Sequence, residues 1–324
     1  MSISAAASSA FVRTLRYTSL SAAIFAFALV IWGGIVRING AGMTCPDWPR
    51  CRGVWFPTLD GSVVYEWTHR FGAPILTLLI VATFIAAWRA RDQRPAAWRA
   101  SWFSAGLVVA QIIVGALTIK YINSPPSVAA HLGLGILTFV SLLVVWYAAA
   151  GPLNRSHAAF SSAAASTAFG RLALSASLIA LGAILAAGYM SASNAGLACT
   201  GFPLCNGWGP PETLAQQIHM GHRLLAYLAF AAVVVIAVTG AKSQAPRIRT
   251  LSWIALALGV AQIGLGVATV ASGLEPVLRS VHQANGALLF AALVLLAYEA
   301  YAAPAGATAP NISTQAAPAA PQRT

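Results

Sequence analysis

Long apolar runs alternate with short polar segments along most of the chain. Eight of these runs hold about 20 residues each, enough for a helix to cross roughly 30 Å of hydrocarbon. They lie near residues 18–36, 71–88, 101–119, 128–148, 171–190, 218–240, 251–271 and 281–302. The pattern therefore predicts an all-α polytopic membrane protein with eight transmembrane helices.

Composition and charge favour a membrane protein over a soluble one. Hydrophobic residues make up 58% of the chain and charged residues only 8%, whereas a soluble domain carries roughly a quarter charged residues. A net charge of +12 would suggest a nucleic-acid partner in a soluble protein. Here 12 of the 19 basic residues fall on one side of the predicted membrane, which predicts that this side and both termini are cytoplasmic. Topology thus explains the charge, and no nucleic-acid partner is expected.

The two ends of the chain carry little recognisable chemistry. The N-terminal segment is rich in serine and alanine, with Arg13, Arg16 and no acidic residue, so a short organellar presequence is an alternative to a cytoplasmic segment. We favour the bacterial inner (cell) membrane over the mitochondrial inner membrane. The Ala/Pro-rich segment 303–324 has nothing to bury, and we expect it to be disordered.

The second half of the chain repeats the first. Cys45 and Cys51 match Cys199 and Cys205, both at an offset of 154 residues, and EWTHRFGA matches HMGHRLLA. Hydropathy alone would not align two cysteine pairs and a His-Arg pair in the same order. Each unit holds four helices, an even number, so the halves form a parallel repeat of two four-helix bundles. The predicted divisions are 1–17 (cytoplasmic N-terminal segment), 18–150 (first repeat), 151–170 (inner linker), 171–302 (second repeat) and 303–324 (tail).

Four histidines lie near the starts of the second and fourth helices of each repeat: His69, His131, His222 and His282. These helices run in the same direction across the membrane, so the four imidazoles lie at a similar depth. Each half thus offers two imidazoles from two helices, the arrangement that binds a haem iron from both sides. A single histidine there is usually an ordinary polar residue at a helix start, but two matched pairs favour iron ligands. Zinc fits less well, because two histidines leave its tetrahedral shell incomplete.

Charged residues beside these histidines differ between the halves. Glu66 is three residues before His69, so both project from one helix face, whereas His219 stands at the matching place in the second half. Glu66 is a candidate general base, and the alternative is a simple salt bridge to Arg70. Arg70 and Arg223 are predicted to pair with haem propionates.

Each half also carries one C-x5-C loop, Cys45/Cys51 in CPDWPRC and Cys199/Cys205 in CTGFPLC. On an oxidising side of the membrane each pair would close a structural disulfide. A redox role for the first pair is the alternative, since it lies over the half that contains Glu66.

As an ordered set, these motifs resemble the haem A synthase family over about residues 15–300. The similarity rests on the two C-x5-C loops, EWTHRFGA, SVAAHLGLG, HMGHRLLAY and SVHQANGAL. The resemblance implies that the C8 methyl of haem O is oxidised stepwise, through an alcohol, to the formyl group of haem A. It also implies a role in cytochrome oxidase assembly, with haem O synthase as a partner.

The resemblance assigns different roles to the two halves. It implies a permanent haem b on His222 and His282, and the substrate haem O on His69 and His131. Glu66 would be the acid/base residue. Other functions are still open at this point: a quinol-linked di-haem b electron carrier, a haem O transporter or chaperone, and a membrane thiol oxidase. A homo-oligomer is also an open alternative.

Overall fold

The computed structural model describes residues 3–151 and 162–302. Within these ranges the chain forms eight α-helices and two isolated β-bridges. Every helix is long and apolar enough to cross a membrane, so the predicted all-α polytopic fold is confirmed. The helices are α1 (Ile3–Ile38), α2 (Val63–Arg89), α3 (Pro95–Lys120), α4 (Pro125–Ala149), α5 (Ala163–Ala192), α6 (Leu214–Gly240), α7 (Pro246–Ala271) and α8 (Pro276–Ala302).

Several helix starts follow directly from the sequence. Pro95, Pro125, Pro246 and Pro276 each occupy the first position of a helix, where the missing N–H costs nothing and the fixed φ suits the helix. α6 begins instead with a capping box. The Thr213 side chain accepts from the backbone N–H of Gln216, and the Gln216 side chain accepts from the backbone N–H of Thr213. These signals place the four histidines in the second or third turn of α2, α4, α6 and α8.

Two helices begin earlier than the hydropathy indicates. α1 begins at Ile3, inside the segment 1–17 that we predicted as a separate N-terminal piece, and α5 begins at Ala163, inside the predicted linker 151–170. Hydropathy marks only the membrane-crossing part of a helix, whereas alanine-rich flanks continue the helix because alanine has the highest helix propensity. The predicted disorder of 303–324 lies outside the described residues.

The helix contacts of the first four helices recur in the last four. α1 packs on α2 and α4, α3 packs on α2 and α4, and the corresponding contacts join α5–α6, α5–α8, α7–α6 and α7–α8. Contacts between α4 and α5, α1 and α8, and α4 and α8 join the two sets. α4 and α8 bury 56% of their most apolar segment, against 17–33% for the other helices, so these two form the centre. The same pairing of helices thus recurs in the two sets of four, and the arrangement as two repeated bundles stays a prediction.

Candidate functional site: a histidine-lined cavity

A cavity of about 1320 Å³ lies within the bundle and is lined by residues of all eight helices. It exceeds the range of roughly 300–1,000 Å³ that holds a drug-sized ligand. All four predicted histidines line it, and so do Glu66 and His219. The two halves therefore contribute to one continuous, mainly apolar space.

The first histidine pair faces across this cavity. The ring centroids of His69 on α2 and His131 on α4 are 6.3 Å apart, with an angle of 77° between the ring planes. Imidazole nitrogens bind transition metals at about 2 Å. Two such bonds, together with the distance from each nitrogen to its ring centre, fill this separation closely. The pair therefore fits one metal ion held between the rings.

Glycines on neighbouring helices provide the space for the imidazoles. A Cβ atom at Gly33 would lie 2.9 Å from Cε1 of His69, and one at Gly115 would lie 3.0 Å from Cε1 of His131. In the second half, a Cβ at Gly266 would approach Cε1 of His282 to 3.2 Å. A larger residue at these positions would displace the rings, so the glycines fix where the imidazoles lie.

The ring nitrogens also indicate a site made for a ligand. Nδ1 of His69, His131 and His282 is buried without a hydrogen-bond partner, which costs free energy in a protein interior. Nδ1 of His222 lies 3.0 Å from the backbone oxygen of Ala183. Since a carbonyl only accepts, Nδ1 carries the proton and Nε2 keeps its lone pair, the state in which histidine binds a metal. The first pair therefore fits a haem iron, and the orientation of the His222 ring suits the same role in the second half.

Glu66 is 3% exposed, and its carboxylate accepts hydrogen bonds from three donors. Its Oε2 accepts from the Thr44 hydroxyl and from the backbone N–H of Cys45, both at 2.9 Å. Its Oε1 forms a salt bridge with Arg70 at 2.6 Å. The carboxylate thus joins the start of α2 to the disulfide loop that precedes this helix. The alternative that we raised for Glu66, a salt bridge to Arg70, is present, and Glu66 also lines the cavity.

His219, which matches Glu66 in the second half, makes a simpler contact. It is 2% exposed, and its Nδ1 lies 3.2 Å from the backbone oxygen of Ala195. As a neutral imidazole bound to a carbonyl, it does not carry the negative charge that Glu66 supplies in the first half.

The two arginines bind the loops that precede their helices. Arg70 donates to the backbone oxygens of Cys45 and Asp47, each at 2.5 Å. Arg223 donates to the equivalent oxygens of Cys199 at 2.7 Å and Gly201 at 2.6 Å. The predicted pairing with propionates stays a prediction, and the contacts that the structure provides are to the loops.

Both predicted disulfides are present. Cys45 pairs with Cys51 and Cys199 with Cys205, and each bridge closes a short loop before α2 or α6. All four cysteines are buried. The first bridge packs against Val63 at the start of α2, so it fixes the loop whose backbone binds Glu66.

The sequence matches the cytochrome oxidase assembly protein family (COX15-CtaA) over residues 16–64 and 60–294. The chain belongs to this family. Over 330 residues it is 27% identical to a protein named "Heme A synthase" from Geobacillus kaustophilus, a match covering 95% of this chain and 98% of the relative. A Bacillus licheniformis protein of the same name is 26% identical over 81% of this chain and 88% of its own length.

A shorter match is of a different kind. A Halobacterium salinarum protein named "Protoheme IX farnesyltransferase" is 32% identical over 124 residues, which is 38% of this chain and 27% of that protein. The comparisons confirm the recognition of the haem A synthase family and the expectation of an enzyme of this class. An integral membrane protein is confirmed as well.

Sequence reasoning missed two glutamines that occupy equivalent positions in the two halves of this chain. Nε2 of Gln111 lies 3.4 Å from Nε2 of His131, and Nε2 of Gln262 lies 3.3 Å from Nε2 of His282. Both glutamines stood in the matched motifs QIIVGALT and QIGLGVAT, so the repeat was the signal that would have found them. Gln262 is further held by Asn285 at 2.7 Å, whereas Oε1 of Gln111 is buried without a partner.

Proposed function

We propose that this protein oxidises the C8 methyl group of haem O, through an alcohol, to the formyl group of haem A. The observation that carries the proposal is the pair His69 and His131, facing across an apolar cavity with Glu66 one helix turn from His69. Family membership and the names of the relatives point to the same reaction. In this proposal haem O is the substrate of the first half.

The reaction consists of two oxidations at one carbon. In the first, the methyl group and one water molecule give the alcohol, two protons and two electrons. In the second, the alcohol gives the formyl group, again with release of two protons and two electrons. Water supplies the oxygen atom, and a one-electron oxidant of the membrane accepts the electrons one at a time.

Glu66 is the proton acceptor in this proposal. Its buried carboxylate already accepts hydrogen bonds from three donors. A proton can therefore bind to the carboxylate only when one of these three contacts rearranges. The Thr44 hydroxyl can do so, because a hydroxyl both donates and accepts hydrogen bonds. Once Glu66 is protonated, Thr44 turns to accept from it, while Cys45 and Arg70 keep the carboxyl group in place.

The second half holds the resident cofactor in this proposal. His222 and His282 would bind haem b, which supplies a one-electron relay between the substrate and the external oxidant. The contact of His222 with Ala183 orients its ring for this role. The Gln262–Asn285 contact fixes the polar group next to His282, which suits a site whose ligand is not exchanged.

The cellular setting follows from the same proposal. The enzyme would lie in a bacterial inner membrane with both termini in the cytoplasm and the disulfide loops on the opposite, oxidising side. Haem O synthase would supply the substrate. The halobacterial relative supports this partnership, because a protein named for farnesyl transfer to protohaem contains a segment similar to this chain.

Porphyrin analysis tests the proposal. The protein is purified from cells that make haem O, and the bound porphyrins are extracted and separated by chromatography. We expect formyl-bearing haem A and haem b from the wild type. Glu66→Ala should retain haem b and lack haem A. A wild-type protein that contains only haem b in both halves would instead identify a di-haem electron carrier.

A further inference from the structure

The two halves border the shared cavity differently at the contact between the disulfide loop and the following helix. In the second half the Tyr227 hydroxyl of α6 donates to the backbone oxygen of Pro203 at 2.6 Å. The Phe202 ring contacts the Tyr227 ring nearly at right angles, with centroids 6.4 Å apart. Loop and helix are therefore joined on the lateral side of this half.

The first half lacks this connection. By the offsets of the repeat, Pro74 stands where Tyr227 does, and Trp48 and Pro49 stand where Phe202 and Pro203 do. Pro74 lies inside α2 and has neither a hydroxyl nor a ring that reaches the loop. Among the residues that the structure describes, Trp48 makes no ring contact and is 51% exposed. Arg70 and Arg223 make equivalent contacts with loop carbonyls, although only Arg70 also pairs with a carboxylate, that of Glu66. The first half joins its loop to α2 at a different place, where Nε1 of Trp67 donates to the backbone oxygen of Trp55 at 3.0 Å.

Exposed apolar side chains along the cavity follow the same asymmetry. In the first half, six large apolar side chains both line the cavity and are exposed, against three in the second half. A side chain that does both lies at an edge where the cavity reaches the surface. The six are Trp48, Trp55, Phe56, Phe71, Leu78 and Ile112, and we call the edge that they frame the lateral opening.

The position of the lateral opening determines which ligand suits it. Phe71 and Leu78 belong to α2 and Ile112 to α3, within the parts of these helices that are long and apolar enough to span a membrane. At these three residues the opening therefore faces hydrocarbon, whereas Trp48, Trp55 and Phe56 belong to the loop before α2. A charged or hydrogen-bonding group would be unsatisfied there, whereas a flexible hydrocarbon chain would be at no disadvantage.

We propose that the lateral opening beside Pro74 admits haem O and accommodates its farnesyl chain, while the Tyr227–Pro203 contact closes the equivalent side of the second half. This inference rests on the proposed function, since it takes haem O as the substrate. The farnesyl chain distinguishes haem O from protohaem IX, and it extends from the cavity into the lipid. The closed second half retains its haem, and the open first half exchanges its haem.

Transplanting the closing contact tests the inference. Pro74→Tyr places a hydroxyl within reach of the first loop, and Pro74→Phe is the matched control with the same ring and no hydroxyl. Binding of haem O and of protohaem IX to the purified protein is followed by absorbance. We expect Pro74→Tyr to slow haem O binding by roughly three- to ten-fold relative to Pro74→Phe, the ratio that one net hydrogen bond provides. Resident haem b content should not change.

A second variant fills the opening without changing the helix near the loop. Leu78→Trp should slow the binding of haem O more than that of protohaem IX, because only haem O places a chain there. Its control is Leu224→Trp, a residue of α6 that is exposed and does not line the cavity. Conversely, Tyr227→Phe should speed the loss of haem b to an acceptor apoprotein by up to about ten-fold, again the effect of one hydrogen bond.

Two results would overturn the inference. Either Pro74→Tyr binds haem O as fast as Pro74→Phe does, or Leu78→Trp slows the binding of haem O and of protohaem IX equally. In both cases a wild type that still makes haem A would leave the proposed function intact. If the wild type makes no haem A, the proposed function fails independently of how the variants bind haem.

Discussion

The first and second halves share a frame and differ in the residues that would decide chemistry and exchange. In both halves an arginine binds the disulfide loop and a glutamine lies against the histidine of the fourth helix. The differences are paired: Glu66 against His219, Leu134 against Asn285, Pro74 against Tyr227 and Asp47 against Gly201. The comparison teaches that a duplicated frame can keep its histidines, glutamines and arginines while single positions such as Glu66 differ between the copies.

The largest expected effect concerns the pair Glu66 and His219. Glu66→Gln keeps the shape of the side chain and removes its ability to accept a proton. We expect haem A formation to fall by roughly 10²-fold or more, the contribution of a positioned general base. The haem content should be unchanged, and formation is measured by chromatography of extracted porphyrins.

The matched control is His219→Gln in the second half, for which we expect a much smaller loss of product. Equal losses from the two substitutions would mean that the halves do not differ in the way that Glu66 and His219 suggest. Product at the normal rate from Glu66→Gln would exclude Glu66 as the proton acceptor.

A smaller effect is expected from opening one disulfide at a time. Replacing Cys45 and Cys51 by serine, or Cys199 and Cys205, should lower the free energy of unfolding by about 2 kcal/mol in either case. Only the first pair of substitutions should also lower haem A formation, because the Cys45 N–H donates to Glu66. Thermal unfolding in detergent and product analysis measure the two effects separately.

Loss of the second bridge serves as the control for loop stability alone. Should both double variants lose stability and keep full activity, the contact between the first loop and Glu66 would not matter for the reaction. A loss of activity with unchanged stability in the first variant would instead favour the redox role that we considered for Cys45 and Cys51.

The smallest expected effect depends on pH and is confined to the first loop. The Asp47 carboxylate accepts hydrogen bonds from the backbone of Gly53 and Arg52, and the Gly53 N–H is the main cause that holds the pKa of Asp47 below its usual value. Since its folded pKa is depressed, Asp47 stabilises the loop above its unfolded pKa of about 4. That stabilisation is lost as the pH falls through the folded pKa.

Hydrogen exchange of the first loop, measured by mass spectrometry, should therefore show faster opening as the pH falls below about 4. The second loop, with Gly201 at the equivalent position, is the internal control and should lack this dependence. Asp47→Asn should remove the dependence from the first loop. If the two loops respond alike, Asp47 does not hold its loop through these bonds.

Much of the architecture could be predicted because it rests on local patterns. Apolar runs predict the eight helices, and the repeat predicts matched loops, histidines and disulfides. The starts of α1 and α5 could not be predicted from hydropathy, since helical flanks outside the membrane carry no hydropathy signal. For the same reason hydropathy does not show that α1 begins within 1–17 and α5 within 151–170.

The site was predictable where chemistry is carried by titratable residues and not where it depends on tertiary contacts. His69 and Glu66 could be recognised by their spacing. The contacts of Glu66 with Thr44 and Cys45, and those of Arg70 with loop carbonyls, depend on how the loop folds back over α2. No spacing in the sequence records that fold, so Thr44 and Tyr227 were not identified as partners.

The measurement that tests the central claim most directly is the haem content of each half, with each haem identified by type and counted per protein chain. His222→Ala and His282→Ala should each lose haem b and keep the ability to bind haem O. His69→Ala and His131→Ala should lose bound haem O and keep haem b. If any of these four substitutions removes both haems equally, or leaves both in place, the assignment of one facing histidine pair to one haem in each half is contradicted.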